Sequence, residues 1–188
     1  MAETSKARAR RLQSGFFENY CQGRGIDIGV GRIDSPAADP VLPDVDTWDQ
    51  DDGDATFMKG VPDETYDFVY TSHLIEHIAN CYLGLLNWWR ILKPGGYLII
   101  NGPHRDLYEK NRELPSRWNY DHKFFLLPEK HDLPFTIGLR PLVLGALPDA
   151  EIIYIQECRD GHTIDDPLIH SDGEYSIEMV IRKPVQGS

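Results

Sequence analysis

The chain has 188 residues, of which 41% are hydrophobic and 26% are charged, and its formal net charge at pH 7 is −11. This length and composition predict one globular domain with a sizeable core. An acidic protein has no general attraction to phosphate backbones, so we expect no nucleic-acid partner. No apolar run approaches the roughly 20 residues of a membrane span, and the N-terminus lacks the apolar segment of a secretory signal. We therefore expect a cytoplasmic protein without a membrane span.

The N-terminal segment predicts a helix over residues 3–21. Leu12, Phe16 and Tyr20 recur at helical spacing and give this helix an apolar side. We interpret its basic residues as a solvated face, because charge runs of this length are common on exposed helices. The basic residues are Lys6, Arg8, Arg10 and Arg11. The three cysteines are scattered without a C-x-x-C spacing, so we expect buried free thiols.

The middle of the chain predicts short strands followed by a long helix. Four strands are predicted, in "RGIDIGVG" and at residues 40–46, 53–58 and 63–72. The apolar spacing over residues 73–92 predicts a helix, which the breaker "KPGG" terminates. The apolar run over residues 97–103 is typical of a strand that is covered on both faces of a parallel sheet.

The remaining residues complete the predicted fold. A polar segment at 105–123 is too long for a simple connector, and a helical region is predicted between residues 126 and 147. Strands are predicted at 150–158 and 174–184. This order predicts an α/β fold with a Rossmann-like, mostly parallel sheet of about seven strands. The fold would have a shortened first crossover and an antiparallel C-terminal strand pair, with ligands at the carboxyl ends of the strands.

A Gly-x-Gly turn follows the first predicted strand. Gly29 and Gly31 are preceded by Asp27, but the position of the third glycine in a dinucleotide-binding turn holds Asp34. An anionic side chain there is unfavourable to a pyrophosphate, and nearby prolines such as Pro36 disfavour a long first crossover helix. A P-loop is excluded because no Gly-Lys-Ser/Thr follows. A carboxylate beside exposed backbone suits a zwitterionic or cationic ligand better.

Several segments, in the right order, resemble the motifs of the class I S-adenosylmethionine-dependent methyltransferases. These segments are "IDIGVG", "LPDVD", "GDAT", "PDETYDFVYTSHLIEHI" and "RILKPGGYLIINGPH". They extend over roughly residues 24–104. The later "NYDHK" and the "PH" after the fifth motif are similar to elements of small bacterial methyltransferases linked to surface-polysaccharide biosynthesis.

This resemblance implies a single methyltransferase domain over residues 1–188 that uses S-adenosylmethionine and releases S-adenosylhomocysteine. It divides the chain into an N-terminal helix, a cofactor-binding core, an acceptor-side insertion with a helix, and a C-terminal strand pair. The boundaries are 1–22, 24–104, 105–148 and 149–184. The implied cofactor-binding residues are Asp27, Gly29, Gly31, Asp46, Asp54, Ala55, Thr56, Ser72 and His73.

Individual roles within this set follow from the resemblance and from side-chain chemistry. Asp46 is expected to accept hydrogen bonds from both ribose hydroxyls, because a carboxylate is an acceptor with two oxygens. Asp49 is the second choice for this role, and Asp44 remains open. Asp54 is expected to accept a hydrogen bond from the adenine amino group, and Asp27 to interact with the cofactor's ammonium group.

The stretch "SHLIEH" contains H-x-x-E-H, which is also a zinc signature of inverted zincin peptidases. The preceding strand places His73 at the mouth of the sheet and Glu76 and His77 in the first helical turn, which disfavours a peptidase. We prefer the interpretation that these residues belong to the cofactor loop or pack against the rest of the domain. A metal site formed by His73, Glu76 and His77 is the alternative, because some methyltransferases place E-x-x-E-H on this element.

The acceptor is expected to lie over the carboxyl ends of the fourth and fifth predicted strands. His104 and His122 are the candidate general bases, because the pKa of histidine is near neutrality. Carboxylates, arginines and aromatic residues in segment 105–123 suit a small-molecule or saccharide acceptor that is methylated on oxygen. The alternatives are a catalytically silent member that binds the cofactor as a sensor or assembly partner and, less favoured, an NAD-type oxidoreductase.

Overall fold

The computed structural model describes residues 3–31 and 38–185, so Asp34 and Pro36 lie outside the described residues. A six-stranded sheet forms the centre of the fold, with strand order β2-β1-β3-β4-β8-β7. Its strands are β1 (Gly25–Ile28), β2 (Asp46–Trp48), β3 (Tyr66–Ser72), β4 (Leu92–Pro103), β7 (Glu151–Cys158) and β8 (Ser176–Arg182). The first four pair in parallel, and β8 pairs antiparallel with both β4 and β7. The predicted α/β class and C-terminal antiparallel pair are confirmed.

Four α-helices accompany the sheet in the described residues: α1 (Glu3–Gln13), α2 (Phe16–Tyr20), α3 (Cys81–Ile91) and α4 (Leu139–Ala146). A short π-helix covers Arg105–Glu109 after β4. A second, parallel sheet consists of β5 (Phe125–Leu127) and β6 (Thr136–Gly138). No helix in the described residues is long and apolar enough to span a membrane. The three cysteines are buried free thiols, as predicted.

Several predicted boundaries are wrong, and each has a local cause. The main sheet has six strands rather than about seven, because residues 53–58 form turns and not a strand. The predicted strand 40–46 is a turn that leads into β2. The predicted helix 3–21 is broken at Gly15, whose left-handed backbone (φ 68°) ends one helix and starts another.

The predicted helix 73–92 also begins later than its apolar pattern indicates. A short 3-10 turn covers Ile75–His77, and α3 starts only after Asn80, whose side chain caps the helix by accepting from the Leu83 N–H at 3.1 Å. The predicted helical region 126–147 is helical only over α4, because β5 and β6 occupy its first half. The region that precedes α3 is therefore a connection at the carboxyl end of β3 that contains one 3-10 turn and no α-helix.

Helix α3 packs on one face of the sheet and connects it to the loop after β2. Trp88 and Leu85 are fully buried in the larger apolar cluster, together with Ile26 and Ile28 of β1. The Trp88 indole N–H donates to the Ala55 carbonyl at 3.0 Å. This bond fixes the loop that contains Asp54 against the sheet.

The basic residues of α1 are not a uniformly solvated face. Arg11 is fully buried, and its Nε donates to the Glu178 carboxylate at 2.7 Å. Arg10 donates to the same carboxylate at 2.9 Å and to Glu174 at 2.9 Å. Burial alone would raise the pKa of Glu178, but the two guanidinium groups lower it to about 2. The basic cluster therefore anchors α1 to β8.

Candidate functional site

A cavity of about 530 Å³ opens at the carboxyl ends of β1, β2 and β3. This is the edge of a parallel sheet at which α/β folds bind ligands. Its volume lies within the roughly 300 to 1,000 Å³ that is typical of small-molecule sites. The walls come from the turn after β1, the loop after β2, the segment after β3, and two residues of the acceptor-side insertion, Asn119 and Asp121.

The glycine turn forms one wall of the cavity. Gly29 and Gly31 both line it and have left-handed backbones, with φ angles of 85° and 86°. The Gly29 N–H donates to the Trp48 carbonyl at 2.8 Å, which ties this turn to the end of β2. A Cβ atom on Gly29 would lie 3.1 Å from the Leu74 side chain. Glycine therefore allows the turn and the segment after β3 to approach closely.

The carboxylate that follows β2 in the cavity is Asp49, and not Asp46. Asp46 is the first residue of β2, lies at the opposite end of the strand, and pairs with Arg24 at 2.8 Å on the exposed edge. Asp49 lines the cavity, and its buried Oδ2 has no hydrogen-bond partner among the described residues. The other oxygen accepts from the Gln50 N–H at 2.6 Å. Asp49 therefore lines the cavity, whereas Asp46, the residue expected to bind the ribose, does not.

The loop after β2 contributes the opposite wall. Asp54 and Ala55 line the cavity, as the sequence predicts. Thr56 is buried behind them, and its backbone N–H donates to the Asp54 Oδ1 at 2.8 Å. Thr56 thus orients the Asp54 carboxylate without lining the cavity itself.

Asp27 is buried beneath the glycine turn and does not line the cavity. Its Oδ2 accepts from the Val41 N–H at 2.8 Å, and its Oδ1 has no partner among the described residues. Burial raises the pKa of Asp27 to about 7, although the Val41 hydrogen bond and the charge of Arg11 oppose this shift. The hydrogen bond from Val41 thus connects Asp27 of β1 to the segment that follows the glycine turn.

The H-x-x-E-H stretch lies where β3 ends. Ser72 is the last residue of β3 and does not line the cavity, whereas His73 does. His73 has a left-handed backbone (φ 52°), an uncommon conformation for a residue with a side chain. Its Nε2 lies 3.3 Å from the Ser176 hydroxyl oxygen.

His77 also lines the cavity, and its Nδ1 lies 3.1 Å from Oδ2 of Asp121, another lining residue. Burial and the neighbouring His122 lower the pKa of His77, while Asp121 opposes this shift. An ionised carboxylate only accepts hydrogen bonds, so the Nδ1–H of His77 donates to Asp121. Asp121 precedes His122 in the sequence, but its side chain pairs with His77.

A fully buried carboxylate lies behind this wall, surrounded by imidazoles. The Glu76 Oε1 is 3.7 Å from Nδ1 of His73 and 3.8 Å from the Nε2 atoms of both His77 and His122. Neither oxygen of Glu76 receives a hydrogen bond from another described residue. Burial raises the pKa of Glu76 to about 7, although the charge of His122 opposes this shift.

Neither histidine predicted as a general base lines the cavity. His104 is buried, its Nδ1 accepts from the Asp106 N–H at 3.1 Å, and its Nε2 faces Glu157 at 3.2 Å. Burial lowers the pKa of His104. His122 is buried behind His77, with its Nδ1 2.5 Å from the Glu109 Oε1. The polar segment folds back on the sheet, so these rings face protein carboxylates instead of the cavity.

Sequence reasoning missed part of the cavity. Trp48 and Gln50 flank Asp49, and Leu74 and Ile78 supply apolar surface below the glycine turn. Asn119 lines the wall that segment 105–123 contributes. Asn119 is the first residue of the "NYDHK" element, which the sequence singled out. The sequence could not show that this side chain lines the cavity, because the orientation of a loop side chain depends on long-range packing.

Residues 12–100 match the family model of the methyltransferase domain. This range includes β1 to β3, the H-x-x-E-H stretch, α3 and most of β4, and hence the cavity walls that lie in the sheet. No curated protein matches the chain in sequence.

The fold is similar to solved structures of other methyltransferases. A Thermotoga maritima protein described as a possible histamine N-methyltransferase is 20% identical, with a TM-score of 0.56 over 97% of this chain and 89% of that chain. A methyltransferase from Archaeoglobus fulgidus is 18% identical, with a TM-score of 0.56 and coverages of 96% and 94%. The N-methyltransferase NodS from Bradyrhizobium japonicum is 13% identical, with a TM-score of 0.55 and coverages of 96% and 97%.

The similarity to these structures establishes the fold, and the family match establishes the domain type. The cavity fits the cofactor of that family, since it combines a Gly-x-Gly turn with an unpartnered carboxylate oxygen at the carboxyl end of β2. Residues 12–100 therefore match a methyltransferase domain, the fold is that of the class I methyltransferases, and these findings imply S-adenosylmethionine as the cofactor.

Proposed function

We propose that the cavity binds S-adenosylmethionine against Asp49 and Asp54, and that the methyl group is transferred to an oxygen of a small hydroxylated acceptor such as a saccharide. The observation that supports this most is Asp49, which lines the cavity and whose buried Oδ2 has no hydrogen-bond partner among the described residues. A buried, unpartnered carboxylate oxygen is costly, and a ribose hydroxyl would satisfy it.

The remaining cofactor contacts follow from the walls of the cavity. Asp54 and the backbone of Ala55 would hold the adenine, with Ile78 as an apolar surface. The exposed backbone of Gly29 and Gly31 would hold the amino acid portion. S-adenosylmethionine supplies an electrophilic methyl group on a cationic sulfur when it is bound.

The charge of the cavity favours this cofactor over a dinucleotide. Asp49, Asp54 and Asp121 line the cavity, whereas no lysine or arginine does so within the described residues. Carboxylates attract a sulfonium and repel a pyrophosphate. The lining therefore supports a methyltransferase cofactor and disfavours the oxidoreductase alternative.

The acceptor would occupy the end of the cavity that the insertion closes. His73, His77, Asn119 and Asp121 provide hydrogen-bonding groups there, as recognition of hydroxyl groups requires. These side chains would hold the acceptor oxygen near the methyl group, and such positioning accounts for much of the rate of a bimolecular transfer.

Two measurements test this function. Isothermal titration calorimetry with S-adenosylmethionine, S-adenosylhomocysteine and NAD should show binding of the two sulfur ligands only. Transfer of a labelled methyl group should then be assayed with separate panels of saccharides, phenols and amines, with each product identified by mass spectrometry. Transfer to hydroxyl acceptors supports the proposal. Transfer to amines alone, or cofactor binding without turnover on any panel, contradicts the oxygen-directed proposal.

A further inference from the structure

We propose that Glu76, His77 and His122 bind one divalent transition-metal ion behind the acceptor end of the cavity. One ligand atom from each residue lies within 4.8 Å of the others. The H-x-x-E-H stretch supplies two of these ligands, but the third comes from the insertion and not from His73. The site therefore differs from the set that the sequence suggests.

The first argument is the environment of Glu76. Its side chain is fully buried, and neither carboxylate oxygen receives a hydrogen bond from another described residue. Buried carboxylates are normally hydrogen-bonded, paired or bound to metal, because an isolated buried charge is very costly. The nearest imidazole nitrogens are 3.7 to 3.8 Å away, which is too long for a hydrogen bond.

The second argument is the orientation of the two imidazoles. His77 donates its Nδ1–H to Asp121 at 3.1 Å, and His122 donates its Nδ1–H to Glu109 at 2.5 Å. Each neutral ring then has its lone pair on Nε2, and both Nε2 atoms face Glu76. Lone pairs directed at an ionised carboxylate repel it, and either a proton or a metal ion between them removes this repulsion.

The carboxylate partners form the outer shell that metal-binding histidines usually have. Glu109 is buried, and its Oε2 accepts from the Ser116 hydroxyl at 2.5 Å, so the group that orients His122 is itself held in place. Asp121 is likewise held by Lys123 at 2.6 Å. Two rings fixed in this way present preformed nitrogen ligands.

Two of the three distances between ligand atoms are close to those of a zinc site. Ligand atoms about 2.1 Å from a tetrahedral zinc ion lie about 3.4 Å apart. The Glu76 oxygen lies 3.8 Å from each Nε2, so these two pairs must approach by a few tenths of an ångström. All three ligand atoms lie within 4.8 Å of one another, so the two imidazoles must move towards each other by a larger amount when an ion binds.

The ligand set selects the class of metal. Two imidazoles and one carboxylate suit zinc, cobalt, manganese or iron(II), whereas magnesium and calcium prefer sites made of oxygen ligands. Three protein ligands leave further positions on the ion, and His77 lines the cavity. An acceptor oxygen could occupy such a position; this role of the ion rests on the proposed function, but metal binding itself does not.

The test uses the full chain, stripped with a chelator and then titrated with Zn²⁺, Co²⁺ or Mg²⁺ in a calorimeter, with the cobalt absorption bands as a second readout. We expect one zinc or cobalt ion per chain and much weaker binding of magnesium. Glu76→Gln and His122→Asn should each weaken zinc binding at least tenfold. Glu109→Gln should weaken it about 10- to 100-fold, because it acts through His122.

His104→Gln is the matched control, because His104 is also a buried histidine beside a carboxylate but belongs to no group of three candidate ligands in the described part of the chain. Its zinc affinity should equal that of the wild type. The proposal is contradicted if wild-type protein binds neither zinc nor cobalt, if magnesium binds equally well, or if folded Glu76→Gln protein, verified by circular dichroism, keeps full zinc affinity. S-adenosylhomocysteine binding, measured in chelator, reports separately on the cofactor site.

Discussion

Asp49 and Asp46 are three residues apart but lie at opposite ends of β2. Replacing Asp49 by Asn should weaken S-adenosylhomocysteine binding by roughly tenfold or more, because a carboxylate that accepts two hydroxyl hydrogen bonds is lost (charged hydrogen bonds contribute about 1.5 to 3 kcal/mol). The dissociation constant is measured by calorimetry.

Asp46→Asn is the control for this measurement, since its partner Arg24 lies on the exposed edge of the sheet. Its dissociation constant should match that of the wild type. A large loss in Asp46→Asn with little loss in Asp49→Asn would return the ribose role to Asp46.

Asp27 gives a prediction about pH. Its pKa is about 7 in the folded protein, against about 3.9 in an unfolded chain, so the folded state binds more protons between these values. The wild type should therefore lose stability relative to Asp27→Asn as the pH rises from about 4 to 7. The amide oxygen of the Asp27→Asn variant can still accept from the Val41 N–H. Urea unfolding of both proteins, each in chelator, measures this difference, and parallel stability profiles would contradict the assignment.

The choice between Asp46 and Asp49 shows what sequence leaves open at the scale of single residues. The segment "LPDVDTWD" contains three aspartates, and their order relative to β2 depends on the boundaries of a strand of three residues. Such short strands are determined by pairing with β1, which is a long-range contact. The positions of Asp54, Gly29 and Gly31 in the cavity wall were easier to predict, because each lies in a turn that the local sequence marks directly.

At the scale of elements, the glycine turn after β1 is the most sensitive part of the cavity. Gly29→Ala should weaken cofactor binding, because its Cβ would meet Leu74 at 3.1 Å in a left-handed backbone. Gly60→Ala is the matched control, since Gly60 also has a positive φ (91°) but open space around it. Each variant should lose roughly 1 to 2 kcal/mol of stability from the backbone alone.

Calorimetry with S-adenosylhomocysteine measures the effect of each substitution on cofactor affinity, and urea unfolding measures its effect on stability. Only Gly29→Ala should lose affinity, whereas both variants should lose stability. Equal cofactor affinity in the two variants would mean that the turn does not form a cavity wall.

The contact between α1 and β8 gives a prediction about stability. Glu178→Gln leaves the buried Arg11 without its charged partner, and breaking a buried pair typically costs about 3 to 5 kcal/mol. Chemical denaturation measures the loss. Asp46→Asn breaks the exposed pair with Arg24 and should change stability little. A loss in Glu178→Gln no larger than that in Asp46→Asn would contradict an anchoring role for the pair.

Elements with strong local signals were predictable, and those that depend on tertiary contacts were not. The strand before "SHLIEH" and the antiparallel pair at the end of the chain follow from apolar runs bounded by turns. The apolar spacing over 73–92 concealed a 3-10 turn, because core residues continue through it. The burial of Arg10 and Arg11 depends on Glu178, which is more than 160 residues away in sequence.

At the scale of the whole molecule, the ordered set of motifs predicted the fold and the cofactor because it fixes the sequence of strands and turns. The acceptor-side wall was less predictable. Segment 105–123 has no strong hydrophobic periodicity. Its fold is determined by long-range contacts, such as the hydrogen bond that the Lys123 N–H donates to the Glu76 carbonyl at 2.8 Å. The pairing of Asp121 with His77 and of Glu109 with His122 arises only from this packing.

The most direct test of the central claim is a crystal structure with S-adenosylhomocysteine. We expect the ribose hydroxyls to lie within hydrogen-bonding distance of the Asp49 carboxylate and the adenine to lie beside Asp54 and Ala55. The sulfur should face the end of the cavity that His77 and Asp121 line. Binding of the ligand outside this cavity, or contact of its ribose with Asp46 in place of Asp49, would contradict the account.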